Sequence, residues 1–303
     1  MSNLNEKQRC RKLYNQIISG YTPTSFLDSK VFIKHFSDND FSSFEEEAET
    51  FFEQAVERGL IPEKESLKTL IKLGHWTQEK EDKIFDLGAS IKDAQKQVLN
   101  IASHDVDRKE GLKDFIANLN DQRYALEKER AELIGTTAES YSQRKNNERL
   151  ILHSLFKDEQ LTETLLSEEE FDELPQDLLL EAISLYNLNM EFFTEKWIKK
   201  IAVMPSFLNA FFLCNDDPRM FFGKPVIELT IYQTDLFSKG KYFKSILNES
   251  EQDGPDETVY EKGMQALVNW YDQQYSIIKG KREAEAAKAR SQARTTHVGS
   301  RRR

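Results

Sequence analysis

The stretch from 73 to 101, LGHWTQEKEDKIFDLGASIKDAQKQVLNI, most limits what this chain can fold into. Its apolar residues recur at alternating steps of three and four positions, which is the spacing of one narrow face on a long helix. These residues are Ile84, Leu87, Ile91, Ala94, Val98 and Ile101. A narrow apolar face must be covered by another helix, supplied by this chain, by a second copy or by another protein.

The stripe resumes after a polar break at 103–111 and ends before Gly135. Its second part is formed by Leu112, Phe115, Ile116, Leu119, Leu126 and Leu133. Two helices of similar length around a polar break favour an antiparallel helical hairpin. A single rod that continues through the break is the alternative, because Asp105 and Leu112 keep the heptad frame.

His75 and Trp76 stand where the first of these helices should begin. Thr77 can cap that helix, and Glu79 and Glu81 suit its first turn. One interpretation makes His75 a general base beside an aromatic platform. We favour another, in which Trp76 covers the helix entrance as an apolar flank; a contact with a partner is the third.

Most other segments also have helical patterns. Capping boxes are predicted at three places, where a Ser or Thr is followed three residues later by Glu or Gln. The pairs are Ser43 with Glu46, Thr136 with Glu139, and Thr230 with Gln233. The segment 29–41 is ambiguous, since Val31, Ile33 and Phe36 fit a strand or a helix, and we interpret it as a helix. The predicted fold is all-α, a helical bundle with a central long, coiled-coil-like hairpin.

The same patterns divide the chain into five predicted segments. The central three are a helical hairpin, a set of connecting helices and an aromatic-rich helical region, and they lie between a helical N-terminal region and a basic disordered tail. The boundaries are 1–75, 76–160, 161–204, 205–280 and 281–303.

Charge is spread unevenly over the 303 residues. The last 25 residues, 279–303, hold nine Lys or Arg and two Glu, a net charge of +7, so the rest carries −17 of the total −10. An acidic body does not attract nucleic acid through a general field, whereas the basic segment can. Of the whole chain, only 279–303 suits nucleic-acid contact, and a solvated tail and a protein contact are the other interpretations of this segment.

Signatures of enzyme chemistry are missing from the sequence. It has no phosphate-binding glycine loop, no HExxH, GxSxG or CxxC motif, and its five histidines never stand three or four positions apart. Cys10 and Cys214 are isolated, which favours two reduced thiols over a disulfide or a zinc site. No run of 18 apolar residues and no signal peptide are present. We predict a protein that is not an enzyme, takes no cofactor or metal, and makes no membrane contact.

Six residues are the candidate contacts with a partner. His75 and Trp76 flank the helix entrance, and Trp270 lies in the last helical pattern. Lys239, Lys241 and Lys244 interleave with aromatic residues, a pattern that suits a core stripe beside a solvated basic edge, a protein contact, or base stacking. We favour core packing with a solvated edge for this segment.

Several segments, among them GHWTQEKEDKI and FFGKPVIELTIYQTDLFSKGKYFKSIL, resemble a group of proteins encoded by large tailed bacteriophages and named as virion structural or tail-assembly proteins. The most specific part is Phe222-Gly223-Lys224-Pro225, followed by Leu229-Thr230, Gln233, Leu236-Phe237, Gly240 and Phe243-Lys244. The resemblance covers most of 7–275 and carries no catalytic residue. The basic extension departs from it.

This resemblance implies a helical protein that contacts other phage structural or assembly proteins, or a second copy of itself. We expect it in the host cytoplasm during assembly, or in the virion. The alternative is a nucleic-acid-binding regulator or packaging accessory that uses the basic tail.

Overall fold

The computed structural model describes residues 5–101, 105–252 and 254–299, and for 99, 100, 106 and 289–299 it describes the backbone alone. Helices dominate this part of the chain, which also contains one small sheet of three strands. The chain therefore has a mostly α fold, and the prediction of an all-α fold is corrected by the sheet.

The chain divides into two compact units. Unit 2 runs from Phe44 to Glu148, and unit 1 holds the described residues before and after it. This grouping differs from the five predicted segments because Cys10, Leu13 and Ile17 share a core with the C-terminal helices. The helices from α2 to α6 are Asp38–Glu57, Glu63–Leu73, Gln78–Asn100, Val106–Ile134 and Ala138–Ser154. The boundaries between the two units fall within α2 and α6.

The remaining elements belong to unit 1. Its helices are α1 Glu6–Ser19, α7 Glu168–Asp172, α8 Gln176–Met190, α9 Glu195–Ala202, α10 Pro205–Leu213, α11 Pro218–Phe222, α12 Ile231–Glu249, α13 Glu257–Glu261 and α14 Met264–Gly299, with a 3-10 helix at Val226–Glu228. Its strands are β1 Tyr21–Phe26, β2 Ser29–Lys34 and β3 Leu155–Phe156.

The segment 29–41, interpreted above as a helix, is instead a strand followed by the start of α2. β1 and β2 form an antiparallel hairpin, and β3 pairs with β2 on its other side. The hairpin closes through Leu27 and Asp28, which both have positive φ, at 48° and 59°. Two consecutive left-handed residues make the turn that matches strand twist. Pro23 fits because β1 is an edge strand.

Unit 1 is built on an aromatic core between α1, α9, α10, α12 and α14. Phe207, Phe211, Phe243 and Tyr271 are buried there, and Phe207 and Phe211 stack with centroids 5.7 Å apart. A second cluster joins the sheet to α6 and α8 through Ile33, Leu155 and Ala182 among others.

Gly240 sets how closely α12 approaches α10. A Cβ at this position would lie 2.7 Å from the ring carbons Cδ2 and Cε2 of Phe211. We expect Gly240→Ala to lower the free energy of unfolding by ~1–3 kcal/mol through overpacking, despite the gain in helix propensity. Gly111→Ala in α5 is the matched control, because nothing lies within 4 Å of its Cβ position. That variant should gain about 0.5–1 kcal/mol. Equal effects of the two variants in urea unfolding would contradict this account of α12.

In unit 2, α4 and α5 lie side by side and antiparallel. Glu81 near the start of α4 is ion-paired with Arg130 near the end of α5, whereas Gly88 further along α4 lies beside Arg123. The seam between them buries Leu87, Ile91 and Leu119. This packing does not fit a single straight rod. Part of the predicted break at 103–111 lies outside the described residues, and the coiled-coil character of the pair stays a prediction.

The C-terminal helix continues past the predicted boundary at 280. α14 runs to Gly299, so the predicted disordered tail has a helical backbone up to that residue, and 300–303 lie outside the described residues. The reason is composition, because Ala, Glu, Lys and Arg are strong helix formers. Lys281 and Arg282 also form ion pairs with Glu251 and Glu249.

Candidate functional site

The entrance of α4 places the predicted contacts His75 and Trp76 in opposite environments. Trp76 is only 2% exposed, and its Nε1 donates a hydrogen bond to Glu81 Oε1 over 2.7 Å. His75 is exposed. Thr77 caps the helix as predicted, since its Oγ1 accepts from the backbone N–H of Lys80 at 3.3 Å. Trp76 is therefore a buried anchor of the helix start rather than a surface for a partner.

Charged groups surround this anchor. Arg130 donates from Nε to Glu81 at 2.7 Å and from Nη1 to Glu63 at 2.6 Å, which ties α5 to α4 and α3. Lys80 lies over the Trp76 ring, 4.7 Å from its centroid. Arg130, Glu81 and Glu63 thus hold the helices around Trp76 together. We find no general-base arrangement around His75 among these described residues.

The three candidate lysines lie along α12 in unit 1. Lys239 pairs with Glu195 at 2.9 Å, and Lys244 pairs with Asp216 at 3.0 Å. A hydrogen bond from Lys239 holds the pKa of the Glu195 carboxyl below its usual value, and a second one from Lys199 adds to this effect. Lys241 is exposed, with its ammonium 5.2 Å from the Phe237 centroid. Two of the three cations are already neutralised, which weakens this edge as a nucleic-acid surface.

Trp270, the sixth candidate, is half-buried on α14. It packs against the aromatic core of unit 1 and meets Tyr271 edge to face, with centroids 5.0 Å apart. Of the six predicted contacts, His75 and Trp76 belong to unit 2 and the other four belong to unit 1.

Sequence reasoning missed His35, which lies buried just beyond β2. Its Nε2 is 2.9 Å from the hydroxyl of Thr22, and its ring meets Phe193 and Tyr232 edge to face. Its Nδ1 has no hydrogen-bond partner in the described part of the chain. Burial lowers the pKa of His35 to about 3, so the ring is neutral at physiological pH. Alternation of Val31, Ile33 and His35 would have revealed this inward face had the strand been recognised.

A histidine beside a hydroxyl is one element of nucleophilic catalysis. Here Thr22 and His35 are both buried, and no carboxylate orients the free ring nitrogen among the described residues. The ring of His35 packs against Tyr232 of α12, so the pair lies at the junction between the sheet and α12. An open groove of about 320 Å³ lies nearby, and its Lys34 is neutralised by Asp40 at 2.8 Å.

The described residues contain neither a cluster of potential metal ligands nor an exposed thiol. They contain no group of three or more His, Cys, Asp and Glu placed to hold a metal ion. Cys10 and Cys214 are free and buried, and burial, helped by Glu6, raises the pKa of the Cys10 thiol to about 11. No helix in the described part of the chain has both the length and the apolar character to cross a bilayer.

Large apolar side chains are exposed on both units. On the α4–α5 pair, Phe85 is 77% exposed and Tyr124 is 68% exposed. Around α11 a second set is exposed, formed by Leu213, Met220, Val226 and Ile227. Contiguous exposed apolar groups are typical of surfaces that bind other proteins, so these residues are candidates for such contacts.

The chain was compared with protein-family models, with curated proteins and with solved structures. No family model, no curated protein and no solved structure matches the chain.

Proposed function

We propose that this chain is a non-enzymatic interaction protein that acts through helical surfaces in virion or tail assembly. The α4–α5 pair serves as its coiled-coil-like contact element. The observation that carries the proposal is the exposure of Phe85 and Tyr124 on a helix pair whose own seam buries few residues. The assembly setting rests on the resemblance of the sequence segments.

The charges of the described residues favour protein contact over nucleic-acid contact. Lys239 and Lys244 are ion-paired within unit 1, and Lys281 and Arg282 are paired at the start of the basic segment. Phosphate binding would have to compete with these pairs and would weaken steeply with salt.

The experiment follows the tagged chain through gradient-purified virions and tail intermediates of a phage that encodes it. We expect the chain to co-sediment with one of these assemblies at a fixed ratio, and Phe85→Asp to abolish the association. Phe115→Asp is the matched control. Phe115 is also an exposed aromatic residue of this helix pair (51%), but it lies on α5, so its substitution leaves the α4 surface unchanged. Absence from every assembly, with no binding to any virion component, would refute the proposal.

A further inference from the structure

The exposed side of α4 carries a second stripe, separate from the seam to α5. Its members follow steps of three and four, so they share one side of the helix. They are Asp82, Phe85, Ala89, Lys92 and Lys96. An open groove of about 430 Å³ lies along this stripe over Gly88, between Phe85 and Arg123. We call these five residues the α4 stripe.

The residues of the α4 stripe are arranged so that two copies of the stripe, laid antiparallel, are complementary to each other. Asp82 stands at one end, Lys96 at the other, and Ala89 at the centre. If a second α4 lay antiparallel across the first, the two Ala89 residues would meet. Phe85 would then face Lys92 of the other copy, and Asp82 would face Lys96. Small residues at the centre allow close approach, and a lysine over an aromatic ring is attractive.

The groups of the α4 stripe are available for such a contact. Lys92 has no ion pair among the described residues, and Lys96 reaches only Asp93, at 3.4 Å, with both side chains well exposed. Such exposed pairs contribute little and exchange readily. Asp82 accepts a hydrogen bond from Gln78 within the same helix, which leaves its carboxylate open to a cation.

We propose that the α4 stripe binds the α4 stripe of a second copy of this chain, with the two α4 helices antiparallel. Four helices, α4 and α5 from each copy, then surround Phe85, which is exposed in a single chain. This inference rests on the proposed function, since it names the partner of the helical surface that the function uses.

Sedimentation of the full chain tests the inference through mass. We expect a species of twice the 35.3 kDa chain mass, and Phe85→Asp should raise its dissociation constant by about tenfold or more. Phe115→Asp should leave the constant unchanged. Far-UV circular dichroism of each variant verifies that the helices remain folded.

A charge exchange tests the antiparallel pairing specifically. Lys96→Asp alone should weaken the dimer, because Asp82 then meets a like charge, and Asp82→Lys with Lys96→Asp should restore it. A wild-type chain that stays at 35.3 kDa, or a dimer indifferent to Phe85→Asp and to the exchange, would overturn the proposal. A monomer that still co-sediments with virion assemblies would remove this inference and leave the proposed function standing. A dimer that joins no assembly would refute the proposed function and leave this inference standing.

Discussion

Trp76→Ala should lower the free energy of unfolding of unit 2 by about 3–5 kcal/mol, the range for deleting a large buried aromatic side chain. Trp76 is 2% exposed and holds Glu81, which in turn receives Arg130 of α5. The substitution opens a cavity at the helix entrance and leaves part of this network unsatisfied. Urea unfolding followed by far-UV circular dichroism measures the loss.

Two neighbouring variants separate packing from contact. His75→Ala should change stability by less than ~0.5 kcal/mol, because His75 is exposed. Trp76→Phe keeps most of the apolar volume but loses the bond from Nε1, so it should cost about 1–3 kcal/mol. A Trp76→Ala protein as stable as the wild type would show that Trp76 is a surface residue after all.

Acidification should destabilise unit 1 through His35. Its folded pKa is about 3, whereas an unfolded histidine titrates near pH 6.5, so below that pH the unfolded chain binds a proton that the folded chain does not. The stability that the neutral ring contributes is complete above pH ~6.5 and falls by roughly 1.4 kcal/mol per pH unit towards pH ~3. At pH 5 the loss is therefore about 2 kcal/mol. Fluorescence of Trp197 and Trp270, both in unit 1, follows the unfolding.

His35→Phe is the control for this pH dependence. The pKa of Asp40 is held low by Lys34 and Ser37 despite partial burial. The stability that such carboxylates contribute to the fold is therefore also lost in acid. The informative quantity is the free energy of unfolding of the wild type minus that of the variant. This difference should fall as the pH is lowered from 7.5 to 5. Parallel curves for the two proteins would mean that His35 takes up its proton in the folded state.

The helical part of the fold could be predicted because a long apolar stripe at helical spacing is best satisfied by one structure, an amphipathic helix. Leu87, Ile91 and Leu119 are buried where the spacing placed them. The strands were missed because β1 and β2 are short, and the decisive signal was a turn of Leu27 and Asp28, whose left-handed backbone is unusual for leucine. Pairing with β3, more than a hundred residues later, is invisible to local patterns.

Capping signals were readable to different degrees. The box of Thr230 and Gln233 is present, and the Gln233 side chain also binds Ile17 O, at the end of α1. The box predicted at Ser43 is wrong, because α2 begins earlier, at Asp38.

The predicted box of Thr136 and Glu139 is also displaced. Thr137 and Ser140 cap each other instead, while Glu139 accepts the backbone N–H of Glu63. A polar side chain near a helix start has several partners within reach, and tertiary contacts decide among them.

The candidate contacts were predicted by residue type, and exposure then separated them. Trp76 was named both as an apolar flank of the helix entrance and as a candidate contact, and its burial supports the first interpretation. Phe85 was passed over because it lies off the seam, and its 77% exposure becomes visible only when α5 is in place. Local sequence does not show which of two helix faces a neighbour will cover.

Photocrosslinking from position 85 tests most directly whether the α4 surface is where this chain makes its contacts. A photo-reactive phenylalanine analogue replaces Phe85 in one protein and Phe115 in another, and each is irradiated alone and with purified assembly intermediates. We predict crosslinks from position 85, at Lys92 of a second copy, and few from position 115. Crosslinks from position 115 alone, or from neither position, would contradict the account.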